Sequence, residues 1–234
     1  MKDCSLPNPK ECLAILAEYH VPPHIVSHSK AVAKLAVFLA QRLKENGEAV
    51  DVTHLKGACL LHDLLRVHDF TESDFNRFEQ NLPEEEKAKW QRLRAKYKSS
   101  SHEDAAYDIL KEQYPALALT IKRHRYMALL DEKEKPVSWE EKLLYYADKR
   151  VMHDKIVPLK ERLAEGHKRN VFLHGSAAQS KINTEKVDPL IYEMEKEIFE
   201  KIGLDPLQAT EDRIDSRSTT GNRPPSRNKC RPCK

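Results

Sequence analysis

The chain has 234 residues and a net charge of +3 at pH 7, with 40 Lys and Arg against 37 Asp and Glu. This length fits one domain, with or without a tail, and the small net charge argues against nucleic acid as the main partner. Hydrophobic residues make up 40% of the chain, but no run of about 18 apolar residues could cross a membrane. The 5 cysteines lack a regular spacing and the N-terminus lacks an apolar signal segment, so we expect a cytoplasmic protein.

Apolar residues recur at helical spacing along the first third of the chain. This spacing predicts a short helix over residues 9–20, a long helix from about 22 to 45 and a third helix from about 51 to 65. Only 6 glycines are present in all. The scarcity of glycine favours a helical fold over a turn-rich β fold.

Residues 67–100 differ in character from the rest, being rich in charged and amide side chains. Pro83 is followed by three glutamates, an arrangement typical of a helix start because acidic groups favour the positive end of the helix dipole. We interpret this segment as a helical arm or lid inserted into the domain.

Further helix starts are predicted from capping residues in the second half of the chain. Ser101 and Ser138 are suitable N-caps, and Pro115 suits a first helical position. A last amphipathic helix is predicted over residues 184–202. Residues 207–234 are polar and almost free of large apolar groups, which predicts a disordered tail.

His62 and Asp63 close an apolar run at the end of the third predicted helix. A buried imidazole and carboxylate need a partner, and a cation suits both because both are metal ligands. Further candidate ligands occur at long range: His28, His102, His124 and Asp148. One ion could be held by His28, His62, Asp63 and Asp148, and a second by His102 and His124 with Asp63 shared. This mixture of nitrogen and oxygen donors suits Mn, Fe, Co, Ni or Zn better than Mg or Ca.

The order H…HD…H…H…D resembles that of the HD-domain metal-dependent phosphohydrolase superfamily. The resemblance covers residues 15–165, with motifs His28-Ser29, His62-Asp63 and Ala147-Asp148-Lys149. The two extra histidines are similar to those of the binuclear subgroup, and the spacing most resembles the bacterial symmetrical diadenosine tetraphosphate hydrolases. The chain departs from many relatives by having Arg66 where they carry lysine, and it lacks the GYP motif of the cyclic-dinucleotide enzymes.

The resemblance implies an all-α fold, an HD-domain helical bundle over residues 1–206 followed by the tail. It also implies hydrolysis of a phosphoester or phosphoanhydride in a nucleotide or dinucleoside polyphosphate, dependent on one or two divalent transition metal ions. His62 and Asp63 would be the catalytic residues, since a metal pair about 3.5–4 Å apart can activate a water for attack on phosphorus. Substrate phosphate would be contacted by Arg66, Lys149 and Arg125. The partner would be a small nucleotide, with neither a membrane nor nucleic acid involved, and the oligomeric state stays open.

Each candidate also has a simpler interpretation. His28 on an apolar helix face could be a hydrogen-bonded core residue, and Asp148 could form a salt bridge with a neighbouring base. His102 could lie on the surface, and His124 could belong to a solvated basic face. The complete set of six in this order favours metal binding over these separate explanations.

Two other functions remain open from the sequence. One is a non-catalytic HD module that senses a nucleotide, and the other is a di-iron HD-type oxygenase. A second HD dipeptide, His153-Asp154, follows Asp148 closely but lacks the apolar lead-in. We expect this dipeptide on an exposed turn of a helix that runs on from Ser138 toward Pro158, outside the site.

Overall fold

The computed structural model describes residues 6–73, 76, 82–170 and 177–220. The α-helices of these ranges are α1 (Pro9–Glu18), α2 (Pro23–Glu45), α3 (Val52–Leu61), α4 (Glu84–Lys96), α5 (His102–Leu110), α6 (Pro115–Lys122), α7 (Trp139–Asp148), α8 (Leu159–Asn170), α9 (Ala177–Ile202) and α10 (Glu211–Thr220). Short 3-10 helices span Arg66–Asp69, Tyr126–Leu130 and Pro206–Gln208. The predicted all-α fold class is confirmed. Within the described part of the chain, no helix combines the length and apolar character that a membrane span requires.

The helix starts follow from local capping. Asn8 and Ser138 each form a capping box, in which the side chain and a glutamate three residues later satisfy each other's backbone N–H groups. Asp51 accepts the N–H groups of the first turn of α3, and Ser101 caps α5, as the sequence predicts. Four helix starts are therefore determined by side chains within a few residues.

Helix α2 lies at the centre of the core and packs most extensively against α3 and α7. Its apolar stripe, including Leu35, Leu39 and Leu43, is completely buried. Tyr145 and Tyr146 of α7 are also fully buried in the same cluster. This packing brings His28, in the second turn of α2, next to the C-terminal ends of α3 and α7.

The insertion over residues 67–100 contains the helix predicted after Pro83, which is α4. Trp90 is only 2% exposed and its indole N–H donates to the carbonyl oxygen of Tyr19 at 3.3 Å. Lys89 also donates to the carbonyl of Glu18, so α4 is attached to the end of α1. Residues 74–75 and 77–81 of this insertion lie outside the described residues.

The prediction for the region after Asp148 is wrong in its secondary structure. Helix α7 ends at Asp148, and the chain then forms an antiparallel hairpin of β1 (Val151–Met152) and β2 (Lys155–Ile156). His153 lies in the hairpin turn with φ of +58°, a left-handed conformation that a helix interior does not allow. The hairpin leads into α8, which the sequence analysis did not predict, and α3 ends at Leu61 rather than near residue 65.

Part of the segment 207–234, which the sequence assigns to a disordered tail, instead packs on the domain between Ala209 and Arg217. Ala209 is 1% exposed and Ile214 is 3% exposed, and α10 lies against α2. Asp215 of α10 pairs with Lys34 of α2 at 2.7 Å. The buried apolar contacts are made by Ala209, just before α10, and by Ile214 within it, and composition does not reveal them. Residues 221–234, including the Cys230 and Cys233 pair, lie outside the described residues.

Candidate metal centre

The structure brings all six predicted ligand residues into one buried cluster. Each lies on or beside a different part of the helical core: His28 in α2, His62 and Asp63 just after α3, His102 at the start of α5, His124 just after α6 and Asp148 at the end of α7. The four imidazole rings form a chain with centroid separations of 5.4, 5.0 and 5.5 Å, in the order His28, His62, His124, His102. The side chains that are far apart in sequence therefore share one volume.

Asp63 lies between two groups of histidines and turns one oxygen toward each. Its Oδ2 is 3.9 Å from Nε2 of His28 and 3.6 Å from Nε2 of His62. Its Oδ1 is 3.2 Å from Nε2 of His102. A carboxylate in this arrangement could offer one oxygen to each of two cations.

Asp148 lies on the side of the first group. Its Oδ1 is 3.0 Å from Nε2 of His28 and 3.7 Å from Nε2 of His62. Its Oδ2 accepts a hydrogen bond from Nζ of Lys149 at 2.7 Å. Asp148 can thus add a fourth donor to the group of His28, His62 and Asp63.

Two sets of donor atoms are compact enough to hold a cation, since the atoms of each set lie within 4.8 Å of one another. The first set is His28, His62 and Asp63, and the second is Asp63, His102 and His124. Nε2 of His62 and Nε2 of His102 are buried without a hydrogen-bond partner. An unsatisfied buried polar atom destabilises a fold by about 1–3 kcal/mol, and coordination to a cation would remove that penalty. The donor chemistry therefore fits a divalent transition metal.

Hydrogen bonds at the outer nitrogens direct the inner nitrogens toward the cluster. In three of the four rings Nδ1 lies against a backbone carbonyl: His28 against His153 (2.7 Å), His62 against Cys59 (2.8 Å) and His124 against Ile121. Such a contact favours protonation of Nδ1 and leaves Nε2 as the atom directed at the cluster. Nε2 of His28 hydrogen-bonds Oδ1 of Asp148 at 3.0 Å, a contact that a bound cation would replace. The side chain of His153 does not join the cluster, but its carbonyl oxygen supports His28.

The carboxylates of the cluster stay charged despite their burial. Burial would raise the pKa of Asp63, but His62, His102 and Arg66 hold it well below its usual range. The pKa of Asp148 is likewise raised by burial but held well below its usual range by Lys149, His28 and His62. Two buried anionic groups facing imidazole nitrogens form an environment that attracts a cation.

The histidines of the second set have opposite pKa shifts. Burial would lower the pKa of His102, but carboxylates that include Glu103 and Asp63 raise it to about 10. Burial and the neighbouring His62 lower the pKa of His124 to about 4. His124 is thus neutral at pH 7, the form in which imidazole binds metal.

The three basic side chains that the sequence predicts as phosphate contacts have different surroundings. The Nζ of Lys149 donates to Asp148 and to the carbonyl of His124, and its side chain is 10% exposed. Arg125 is 37% exposed and lies 3.7 Å from Asp104. Arg66 is 29% exposed and its Nη1 lies 3.1 Å from Oδ2 of Asp69.

Asp69 and Arg169 are two residues near the site that the sequence analysis missed. Asp69 ends the 3-10 helix after the HD dipeptide and reaches Nδ1 of His102. Arg169 of α8 lies close enough to Arg66 and Asp148 for both to shift its pKa. Burial lowers this pKa most, Arg66 lowers it further and Asp148 raises it. Asp69 follows Arg66 by three residues, a spacing that could have indicated a pair, whereas nothing in the sequence relates Arg169 to the site.

These observations define an all-helical protein with a buried histidine–aspartate centre of a kind that can hold divalent metal. The model of the HD domain family matches residues 25–152, more than half of the chain, and the chain belongs to that family. This family suggests metal-dependent phosphohydrolase-type activity. Searches of curated proteins and of solved structures find no significant match to the chain.

Proposed function

We propose that the protein is a metal-dependent phosphohydrolase with two metal positions, acting on a nucleotide or dinucleoside polyphosphate. The observation that carries this proposal is the position of Asp63 between two sets of histidines. One carboxylate oxygen faces His28 and His62, and the other faces His102. A single-ion site would have no use for the second pair of buried histidines.

Two divalent ions, when bound, would supply an activated water and would neutralise charge on a phosphoryl group. The protein's own groups position these ions and the substrate. We assign the catalytic role to His62 and Asp63: Asp63 belongs to both sets, and His62 belongs to the first, which His28 and Asp148 complete. His102 and His124 complete the second set, with fewer protein ligands.

Substrate phosphate is recognised by the partly exposed cations near the centre. Arg66 and Arg125 have the exposure that a phosphate contact requires, and guanidinium groups bind phosphate oxygens bidentately. Lys149 is directed at Asp148, so its contribution is to balance the charge of that ligand as well as to attract an anion. The spacing of the ligands, which resembles that of diadenosine tetraphosphate hydrolases, supports a dinucleoside polyphosphate as the substrate class.

A substrate screen with controlled metal content tests the proposal. The purified protein is stripped with a chelator, reloaded with Mn, Fe, Co, Ni or Zn in turn, and assayed against nucleoside mono-, di- and triphosphates and dinucleoside polyphosphates. Hydrolysis of at least one compound with at least one metal is expected. It is followed by chromatography of the nucleotide products, because cleavage within a dinucleoside polyphosphate gives two nucleotides and no free phosphate. Bound metal with no hydrolysis of any of these compounds would favour the nucleotide-sensing alternative, and oxygen uptake by the iron-loaded protein would favour the oxygenase.

Variants of the two catalytic residues test the site itself. We expect His62→Ala and Asp63→Ala each to abolish hydrolysis and most of the bound metal while the circular dichroism spectrum remains helical. The matched control is His153→Asn in the second HD dipeptide, since asparagine tolerates the left-handed conformation and keeps the carbonyl that supports His28. Metal content unchanged in both site variants would contradict the proposed site.

A further inference from the structure

His102 differs from the other histidines of the cluster in what its outer nitrogen contacts. Its Nδ1 lies 2.5 Å from Oδ2 of Asp69, whereas the outer nitrogens of the other three rings face backbone carbonyls. The His102 side chain is 5% exposed and the Asp69 side chain is 30% exposed, so the contact is buried on the imidazole side and reaches solvent on the carboxylate side. Within the described residues, this is the one ring of the four whose Nδ1 hydrogen-bonds a carboxylate.

A carboxylate at Nδ1 has two effects on an imidazole ligand. It fixes the tautomer with Nδ1 protonated, and it makes Nε2 a stronger electron donor to a metal. Nε2 of His102, like Nε2 of His62, is buried without a hydrogen-bond partner, and it lies 3.2 Å from Oδ1 of Asp63. The hydrogen bond to Asp69 therefore acts on the metal position between His102 and Asp63.

Arg66 holds Asp69 in this arrangement. Nη1 of Arg66 lies 3.1 Å from Oδ2 of Asp69 and 3.2 Å from Nδ1 of His102. The guanidinium and the protonated Nδ1 therefore donate to the same carboxylate oxygen. Arg66 and Asp69 are the first and last residues of one 3-10 helix, which fixes their separation. A second carboxylate, that of Glu103, is 3.3 Å from Nδ1 of His102 and is the more distant acceptor.

We propose that Asp69 is a positioning residue for the second metal position, acting through His102 and held in place by Arg66. This inference rests on the proposed two-metal centre but does not depend on which substrate is cleaved. Arg66 would then have a structural role in addition to any contact with substrate phosphate.

Metal titration of Asp69→Asn tests the inference without an activity assay. Asparagine preserves size and one acceptor oxygen but removes the charge. Titrating chelator-treated protein with Mn²⁺ or Co²⁺ in a calorimeter, we expect one equivalent to bind about 10–100-fold more weakly than in wild type and the other to be unchanged. The visible absorption of the Co²⁺-loaded protein should lose the contribution of the second ion at limiting metal.

The matched control is Glu72→Gln. Glu72 lies in the same insertion and pairs with Arg94 at 2.6 Å, so this variant removes one negative charge nearby without touching His102. It should bind both equivalents as wild type does. A second variant, Asp69→Glu, retains the charge and should recover part of the lost affinity; it also decides the question if Asp69→Asn does not fold.

Three results would overturn the inference: wild-type affinity for both equivalents in Asp69→Asn, an equal loss in Glu72→Gln, or fewer than two equivalents in wild type. Two tight equivalents with no hydrolysis of any nucleotide would contradict the proposed function, and Asp69 would still be tested by the titration.

Discussion

Asp63 joins the two halves of the candidate centre through the orientation of a single carboxylate. One of its oxygens faces His28 and His62 and the other faces His102, at 3.2–3.9 Å. The residue types and their order indicated a metal site, but the direction of each donor atom depends on hydrogen bonds behind the rings. His62, for example, is oriented by the carbonyl oxygen of Cys59 in the last turn of α3.

At the same scale, the two metal positions should differ in affinity. The first set can use four protein ligands, with Asp148 as the fourth, and the second set only three. We expect His102→Ala and His124→Ala each to remove about one metal equivalent, as measured by elemental analysis. Turnover should fall steeply in both variants, whereas the melting temperature should change little. His54→Ala is a suitable control, because His54 hydrogen-bonds Thr120 and lies outside the cluster. Full activity and unchanged metal content in both variants would reduce the centre to one ion.

At the scale of elements, the turn of the β1–β2 hairpin contacts a ligand residue of the candidate metal centre. It presents the carbonyl of His153 to Nδ1 of His28 at 2.7 Å, across 125 residues of sequence. This contact depends on the left-handed conformation of His153, which the hairpin turn imposes.

A β-branched residue at this position should disturb both the turn and the centre. His153→Val should lower the free energy of unfolding by about 1–2 kcal/mol, because the left-handed region is strongly disfavoured for branched side chains. His153→Gly should be at least as stable as wild type. Urea unfolding of the two variants measures the difference, and equal stabilities would show that the turn conformation is not under this constraint.

Helix α10 is the second element whose contribution can be measured. Ile214 is 3% exposed, and Arg217 and Asp215 pair with Glu45 and Lys34 of α2. Ile214→Ala should lower the free energy of unfolding by about 2–5 kcal/mol through loss of buried volume. A chain that ends at residue 206 lacks these contacts and should melt several degrees lower than one that ends at residue 220. Residues 221–234 contain no large apolar side chain, so the longer of the two chains keeps the packing that is tested. Identical melting temperatures of the two truncated chains would contradict the packing of α10.

At the scale of the whole molecule, the candidate centre connects helices that lie far apart in sequence. Its donors come from α2, α5 and α7 and from the segments that follow α3 and α6. The centre contains one buried carboxylate, Asp63, and one that is 14% exposed, Asp148. A cation bound there would crosslink most of the domain and would bind the folded state alone.

Metal should therefore stabilise the fold by mass action. At a free metal concentration about 100 times the dissociation constant, the expected gain is about 2.7 kcal/mol, visible as a higher melting temperature in a thermal shift assay. Chelator should reverse the gain, and His62→Ala should remove it. The same increase in the His62→Ala protein would mean that the metal binds elsewhere.

Local sequence determined most of the helices, because their signals act within a few residues. Apolar spacing predicted α2, the capping residues Ser101 and Ser138 predicted the starts of α5 and α7, and His62 and Asp63 stood out because buried polar groups need partners. The other four candidate ligands could be named from the order of the six along the chain, which resembles that of the HD-domain superfamily and is a property of the sequence alone.

Tertiary structure alone decided what depends on contacts between distant residues. The hairpin after Asp148, the docking of α10 through Ile214 and the contact of Asp69 with His102 have no strong local signal. Each depends on a contact with a surface or a hydrogen-bonding group from another part of the chain. Such a contact stabilises the protein only after the core has formed. The direction of each ligand atom, on which metal binding depends, belongs to this second group.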